Sequence, residues 1–455
     1  MDTLHEPAAE HVALATSLAD QGVEVAAAAW LDVLGRPKSK FVPIHTLPGL
    51  LAGSERYTPR GMGNLGRMNP SEDECVAVPD PSSMRVLTWD PRVVFFNADL
   101  LYGGKEPFAN CPRSNLKSVI KKAETRGYRF MLGVETEFYV FRRDALPALV
   151  PIAPSSTLWP TPAYDVESTV DSLDFLTEVA RHMAAADFGL FSFDHEGGNG
   201  QYEFDFAHAE VLRQCDQLVY LRLLLRHVAR EHGYFVTYMP KPRRTAWGSG
   251  AHMNMSLESL TGTNLLLELG GEGKRIWTNE AYGFVAGLLR HAPALSALTC
   301  PSVNSYKRLV PLLADGSASW APVWAAYGDN NRSCMLRLPA NRPAIENRSV
   351  DMTANMYLAS AFSLAAGLEG IELGLDPGEP AQDDTSTWVR TGEHRERRLP
   401  RTLLEAIDAF EEDPLVWETF PDHFVADYTA MKREEWDEYH ADVSQWEIDR
   451  YLLNV

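Results

Sequence analysis

The chain has 455 residues, 45% of them apolar, and a formal net charge of -20 at pH 7. That length supports a large core and suggests two to three domains of ordinary size, while the acidic balance disfavours nucleic acid or an anionic membrane as main partner. Five cysteines without a C-x-x-C pair argue against a structural zinc site or a disulfide framework and fit a reducing cytoplasm.

From the N-terminus, "MDTLHEPAAEHVALATSLAD" is acidic and amphipathic, unlike a signal peptide, and His11 to Gly22 reads as a helix. "VEVAAAAWLDVLG" and "KSKFVPIH" alternate like a strand pair turning at Gly35 and Arg36. "GMGNLG", Gly61 to Gly66, matches the dinucleotide fingerprint in letters only, because neither a buried strand precedes it nor an apolar helix follows. Short strands "ECVAVPD", "MRVLTWD" and "RVVFFNADL" complete a small α+β unit ending near Glu106. In "CPRSNLKSVIKKAETRGY", Ser114 is the expected N-cap and Gly127 the stop of a helix. Alternating helices and strands continue to about Leu375, Asp376 to Arg398 reads as a loop, and the tail from Pro400 as amphipathic helix. The most apolar segment, "MYLASAFSLAAGL" from Met356, is too short to span a bilayer and is expected as a buried core helix.

Two stretches concentrate acids in apolar frames. "FDHEGGNGQYEFDF", from Phe193, reads as a β-hairpin whose Gly-Gly-Asn-Gly turn joins flanks bearing Asp194, Glu196, Glu203 and Asp205. "GVETEFYVF" places Glu135 and Glu137 two apart on a strand, so both point to one face. Like charges ~4 Å apart repel by roughly 4 kcal/mol at an effective dielectric near 20, so a cation is expected there. With His252 of "GSGAHMNMSL" and Glu346 of "PAIENRSVD", Glu135, Glu137, Glu196 and Glu203 make five glutamates and one histidine, a ligand set of hard oxygens and one imidazole suited to Mg²⁺ or Mn²⁺. Arg308, Arg332, Arg337 and Arg348 supply guanidinium groups of the kind that grip carboxylates and transferring phosphoryl groups, pointing to a nucleoside triphosphate and an anionic co-substrate.

Matched in order by "ETEF", "EGGNGQYEF", "GSGAHMNMS", "NSYKRLVP", "NRSCMLRLP" and "ENRSVD", the chain resembles the glutamine synthetase superfamily over nearly its whole length. The resemblance implies an α+β protein with an N-terminal β-grasp domain (1–106) and a catalytic domain (107–455) whose curved antiparallel sheet forms a funnel. It further implies a homo-oligomer, usually a dodecamer of two hexameric rings, that uses ATP, Mg²⁺ or Mn²⁺, and L-glutamate. Carried over motif by motif, Glu137, Glu196 and Glu203 resemble ligands of a metal near glutamate, and Glu135, His252 and Glu346 ligands of a metal on the ATP phosphates. Arg308 and Arg348, with Ser249 and Gly250, resemble the holders of the glutamate α-carboxylate and its surroundings; Arg332 and Arg337 resemble the pair that grips the phosphates.

The chain departs from the family where ammonium is bound. The N-terminal Asp-Gly-Ser-Ser loop of ordinary members is replaced within "RYTPRGMGNLGRMNPSED". The loop after Arg308, "LVPLLADGSASWAPVWAAYGDNN", offers Asp315 at most in place of a glutamate and brings in Trp320 and Trp324. This pattern resembles the γ-glutamylamide synthetase branch, including γ-glutamylmethylamide and γ-glutamylanilide synthetases, and implies a primary organic amine as acceptor, with Tyr164 of "TPAYD" and Glu196 lining its pocket. An ammonia-using glutamine synthetase is the alternative. Asn254 and Ala344 stand where many bacterial synthetases carry a histidine and an arginine near the phosphates.

Overall fold

A computed structural model describes residues 8–59, 71, 73–270, 275–392 and 394–453; the "GMGNLG" stretch and most of the replaced ammonium loop lie outside these residues. The N-terminal part opens with helix α1 (Ala9–Asp20) and a hairpin of β1 (Val25–Leu31) and β2 (Pro37–Pro43), as the alternation predicts. Helix α2 (Leu47–Leu51) and strands β3 (Arg56–Tyr57), β4 (Cys75–Pro79), β5 (Arg85–Leu87), β6 (Asp90–Tyr102) and β7 (Glu106–Pro107) follow. The sheet runs β2-β1-β6-β4-β3, with β1 and β6 parallel. The continuous apolar run of β1 has a simple cause: both its faces are covered. Ala26, Ala28 and Trp30 pack in a small core with α1, whereas Ala27, Ala29 and Leu31 face the main core of the protein.

Helix α3 (Pro112–Thr125) leads into the 15-residue strand β8 (Tyr128–Arg142), the spine of the second sheet. The N-cap of α3 is Cys111, not Ser114: the Cys111 Sγ accepts from the Ser114 N–H and hydroxyl, and Pro112 takes the first helical position, where its missing N–H costs nothing. Arg113 on that first turn is buried and salt-bridged to Asp80 and Asp99 at the first sheet and to Asp216 on the later helix Val211–Glu231, tying that sheet to the helices beside it. Helices α4 (Val166–Asp171) and α5 (Leu173–Ala185) precede the expected hairpin of β9 (Leu190–His195) and β10 (Gln201–Phe206). Strand β11 (Ala209–Glu210), helix α6 (Val211–Glu231), β12 (Tyr234–Thr237) and β13 (Ala251–Ser259) continue the chain.

A small ribbon, β14 (Leu267–Leu269) with β15 (Arg275–Trp277), precedes α7 (Asn279–Arg290), α8 (Ala292–Thr299) and α9 (Ser305–Arg308). Strands β16 (Tyr327–Asp329), β17 (Leu336–Leu338) and β18 (Ile345–Asn347) complete the sheet in the order β16-β17-β18-β13-β8-β10-β9, with β11 and β12 added on β8. Apart from β16 beside β17, its pairings are antiparallel. Helix α10 (Met356–Glu372) is apolar around its circumference and lies buried in the main core, as expected. Two expectations need correction. The stretch from Asp376 to Arg398 is not all loop, since α11 (Trp388–Thr391) forms within it, and the tail is four helices: α12 (Leu403–Glu412), α13 (Pro414–Thr419), α14 (Asp422–Ala441) and α15 (Gln445–Tyr451). Among the described residues no helix is long and apolar enough to cross a membrane.

Candidate active site

Strand register assembles the acids. Glu137 on β8 stands opposite Glu203 on β10, which stands opposite Asp194 on β9. On the other side of β8, Glu135 stands opposite His252 of β13, and Glu346 of β18 pairs with Asn254 of β13 and Arg337 of β17. Because side chains alternate along a strand, Glu135 and Glu137 emerge on one face, where strands distant in sequence add their own polar groups. His252 bridges the two groups: its Nδ1 lies 2.8 Å from Glu135 and 3.8 Å from Glu346, its Nε2 3.5 Å from Glu137.

A close turn makes this convergence possible. A methyl group added at Gly250 would fall 2.6 Å from His252 Nε2 and 2.9 Å from both Arg308 Nη2 and Glu137 Oε1, so any side chain there would displace functional atoms. The Gly250 N–H donates to Glu137 at 2.8 Å, and Gln201 donates to the same carboxylate oxygen at 3.0 Å while also reaching the Ser249 hydroxyl.

The electrostatics divide the acids into two kinds. Burial would raise the Glu135 carboxyl, but the hydrogen bond and charge of His252, with Arg342 and Arg348, pull it down to about 2. Glu346 is likewise held low despite burial, chiefly by Arg348 and His252. On the other side the cationic pull is weaker, Arg348 acting on Glu196 without offsetting the burial and the neighbouring acids. Burial and then Glu137 push Glu196 up to about 8, and burial with Glu137, Glu135, Asp205 and Glu196 pushes Glu203 well above the carboxylate range. Like-charged acids brought together in a buried place, with unmet demand for positive charge, are what a divalent cation relieves. Two donor groups fit one, with ligand atoms within 4.8 Å of one another: Glu135, His252 and Glu346, and Glu137, Glu203 and His252. Glu196 is outside both groups but lines the same cavity.

That cavity, about 240 Å³, is walled by Glu135, Glu137, Glu196, Glu203 and His252, with Arg308, Arg332 and Arg348 opposite and Tyr164 at its mouth. Arg332 is exposed, and its side chain makes no ion pair among the described residues. Arg337 is instead buried and committed, donating to Glu346 at 2.8 Å and to Asn330. Arg348 also pairs with Glu346 and donates to the Arg332 carbonyl. Glu135 forms a partition with a second cavity of about 340 Å³, lined by Asn254, Arg342, Asp205 and Phe191 among others.

Several residues escaped the reading of the motifs. Arg342 donates to Glu135 at 2.8 Å, to Glu346 at 3.0 Å and to Asn254 at 2.8 Å. It thus places a guanidinium near the position where Ala344 lacks one, and Asn254 completes the network by donating to Glu135. Trp247 and Trp320 line the cavity as a T-shaped pair with ring centroids 6.1 Å apart, Trp247 lying against the Gly197 turn. Trp324 does not join them: it is 2% exposed and packs with Trp388 and Ala326 in a separate small core. Asp315 is exposed and occupied in capping Ser317. The signal for Trp247 was its place one residue before the Gly-Ser-Gly turn.

A buried set of carboxylates with one imidazole, faced by arginines and open to two adjoining cavities, defines a site for cation-assisted chemistry on anionic substrates. Comparison narrows the class. Residues 109–451 match the family described as glutamine synthetase, catalytic domain. The glutamate-methylamine ligase of Methyloversatilis universalis is 34% identical over 438 residues, covering 96% of this chain and 97% of that one. The glutamine synthetase of Halobacterium salinarum is 32% identical over 441 residues, covering 95% and 94%. Two solved structures of GmaS, one with ADP and one without ligand, superpose with TM-scores of 0.88 and 0.87 at 32% identity, covering 96% of this chain and 99% of each. The chain belongs to the glutamine synthetase family and is an ATP-dependent ligase.

Proposed function

We propose that this enzyme joins the γ-carboxylate of L-glutamate to a primary organic amine through γ-glutamyl phosphate, releasing ADP and phosphate. The observation that carries this reading is the aromatic wall of the substrate cavity. Tyr164, Trp247 and Trp320 surround Glu196 where an ammonium site would call for further acids, and rings of this kind cover an alkyl or aryl substituent while stacking on its charge. Likeness to the glutamate-methylamine ligase supports it. The similar identity to glutamine synthetases keeps ammonia as the second reading.

In this reading ATP enters the larger cavity behind Glu135, and glutamate the smaller one. Glu135, Glu137, Glu196, Glu203, His252 and Glu346 would hold Mg²⁺ or Mn²⁺, which when bound offsets the negative charge of carboxylate and phosphates. Arg308, with Arg348 and the Ser249-Gly250 turn, holds the amino-acid end of glutamate. Arg332, uncommitted in the cavity wall, steadies the phosphoryl group in flight, and Arg337 fixes Glu346 behind it. An alkylammonium acceptor must lose a proton before it attacks. Glu196, with Tyr164 beside it in the cavity wall, is placed to take that proton; an arylamine arrives neutral and needs none.

The same reading assigns residues 1–106 to a β-grasp domain and 107–455 to the catalytic domain, a division that falls within β7 and shortly before α3, and expects a cytoplasmic dodecamer of two hexameric rings. Incubation with ATP, Mg²⁺, L-glutamate and methylamine should yield one γ-glutamylamide per ADP by mass spectrometry. ADP released without glutamate would contradict the proposal.

A further inference from the structure

Lys241 is 7% exposed, yet its side chain lines the cavity beside Arg308 and Trp247. Its main chain is held at two points by one side chain: Lys241 N–H donates to Asn304 Oδ1 at 2.7 Å, and Asn304 Nδ2 donates to the Lys241 carbonyl at 3.1 Å. Asn304 is the residue from which α9 starts, and Arg308 closes that helix, so one clamp fixes two cations in neighbouring positions. The Arg308 guanidinium donates to the carbonyls of Ser349 at 2.8 Å and Arg348 at 3.0 Å, neutral partners that orient it; its charge also acts on the buried Asp351, but no carboxylate ion-pairs with it among the described residues. Among the described residues no carboxylate ion-pairs with Lys241, and the charged neighbour that bears on it is Arg308. Burial and then Arg308 lower its ammonium to about 8. The cavity therefore has acids on its sheet wall and, at the α9 end, two cations with which no carboxylate ion-pairs among the described residues.

A buried ammonium next to a guanidinium, neither of them ion-paired, is costly unless a ligand brings the anion. The shape of that anion follows from the pair. Arg308 offers a planar fork for two oxygens, and Lys241 a compact point charge from the side, which together suit one carboxylate.

We infer that Lys241 is a substrate-binding residue that receives, together with Arg308, the α-carboxylate of the amino-acid substrate. This assignment rests on the ligase reading above and adds to it the residue that distinguishes an α-amino acid from a plain carboxylic acid. The test compares L-glutamate with its α-amide, which keeps the γ-carboxylate and the amino group but lacks the α charge. In wild type, L-glutamate should be strongly preferred. In Lys241→Met the KM for L-glutamate should rise about tenfold to a hundredfold, the worth of one charge-assisted contact. The KM for the α-amide and for ATP should stay within about threefold, so the preference collapses. Lys241→Arg should recover most of it. Ligand-induced changes in tryptophan fluorescence, read without turnover, should give the same shifts in dissociation constant, and an unchanged thermal midpoint guards against misfolding. Equal losses for L-glutamate and the α-amide, or a loss confined to ATP, would overturn the assignment while leaving the ligase reading intact. Wild-type protein that ignores L-glutamate altogether would overturn both.

Discussion

Glu203 stands directly opposite Glu137 across two antiparallel strands, and among the described residues no lysine or arginine ion-pairs with either. Like charges placed so are destabilising, and Glu203 responds by holding its proton far above the ordinary carboxylate range, through burial first and Glu137 next. The sign follows from linkage. A carboxyl whose folded pKa is raised costs nothing below its unfolded value and costs increasing stability as pH climbs towards the folded one, by about 1.4 kcal/mol per pH unit. Glu203→Gln should therefore stabilise the cation-free protein by about 1–3 kcal/mol near pH 8 and by almost nothing near pH 4.5, while abolishing ligation. Denaturant titrations at the two pH values check this, and an equal effect at both would contradict it.

Cation binding should release protons. Glu196, raised to about 8, and Glu203, raised well above the ordinary carboxylate range, must both ionise to serve as ligands, so Mg²⁺ affinity should climb as pH rises from about 6 to 8. Calorimetry in two buffers of different ionisation enthalpy should find about one proton or more released per binding event near pH 7. Buffer-independent heats would argue against the carboxylate pair as ligands.

Arg332 and Arg337 should fail in different ways. Arg332 is exposed in the cavity, so Arg332→Ala should lower kcat by ~10³ to 10⁵ with the thermal midpoint unmoved. Arg337 is buried against Glu346, which is 0% exposed, so Arg337→Ala leaves a buried acid short of a partner and should cost about 3 kcal/mol of stability as well as activity. Near wild-type turnover in Arg332→Ala would remove it from the chemistry.

The aromatic wall should set acceptor choice. Trp247→Ala deletes the ring that touches both Trp320 and the Gly197 turn, and should raise the KM for an organic amine about tenfold, with ATP and glutamate affected less. Ammonium, with no substituent to cover, should be used no worse. A parallel loss for both acceptors would reduce Trp247 to packing.

How much of this was legible in the sequence depended on how local each signal was. Glu135 and Glu137 could be paired by period two alone, and the β9–β10 hairpin by its glycine turn. Nothing local says that β10 joins β8 so that Glu203 faces Glu137; the resemblance supplied that juxtaposition. Hydroxyls usually cap helices, which favours Ser114 at the start of α3, whereas Pro112 moves the start one turn earlier and a buried thiol takes the role. Trp320 and Trp324 look alike in the text, and only the turn between them separates cavity wall from core. Nothing local marks Arg342, since arginines are common at surfaces and its three partners come from three separate strands.

The nitrogen nucleophile decides which ligase this enzyme is. ADP release from ATP, Mg²⁺ and L-glutamate, with product masses confirmed, should be compared across ammonium, methylamine, ethylamine, isopropylamine, ethanolamine and aniline. Turnover with at least one organic amine, at a kcat/KM well above that for ammonium, is the result expected from the wall of Tyr164, Trp247 and Trp320. Turnover with ammonium alone would contradict it and make this chain an ordinary glutamine synthetase.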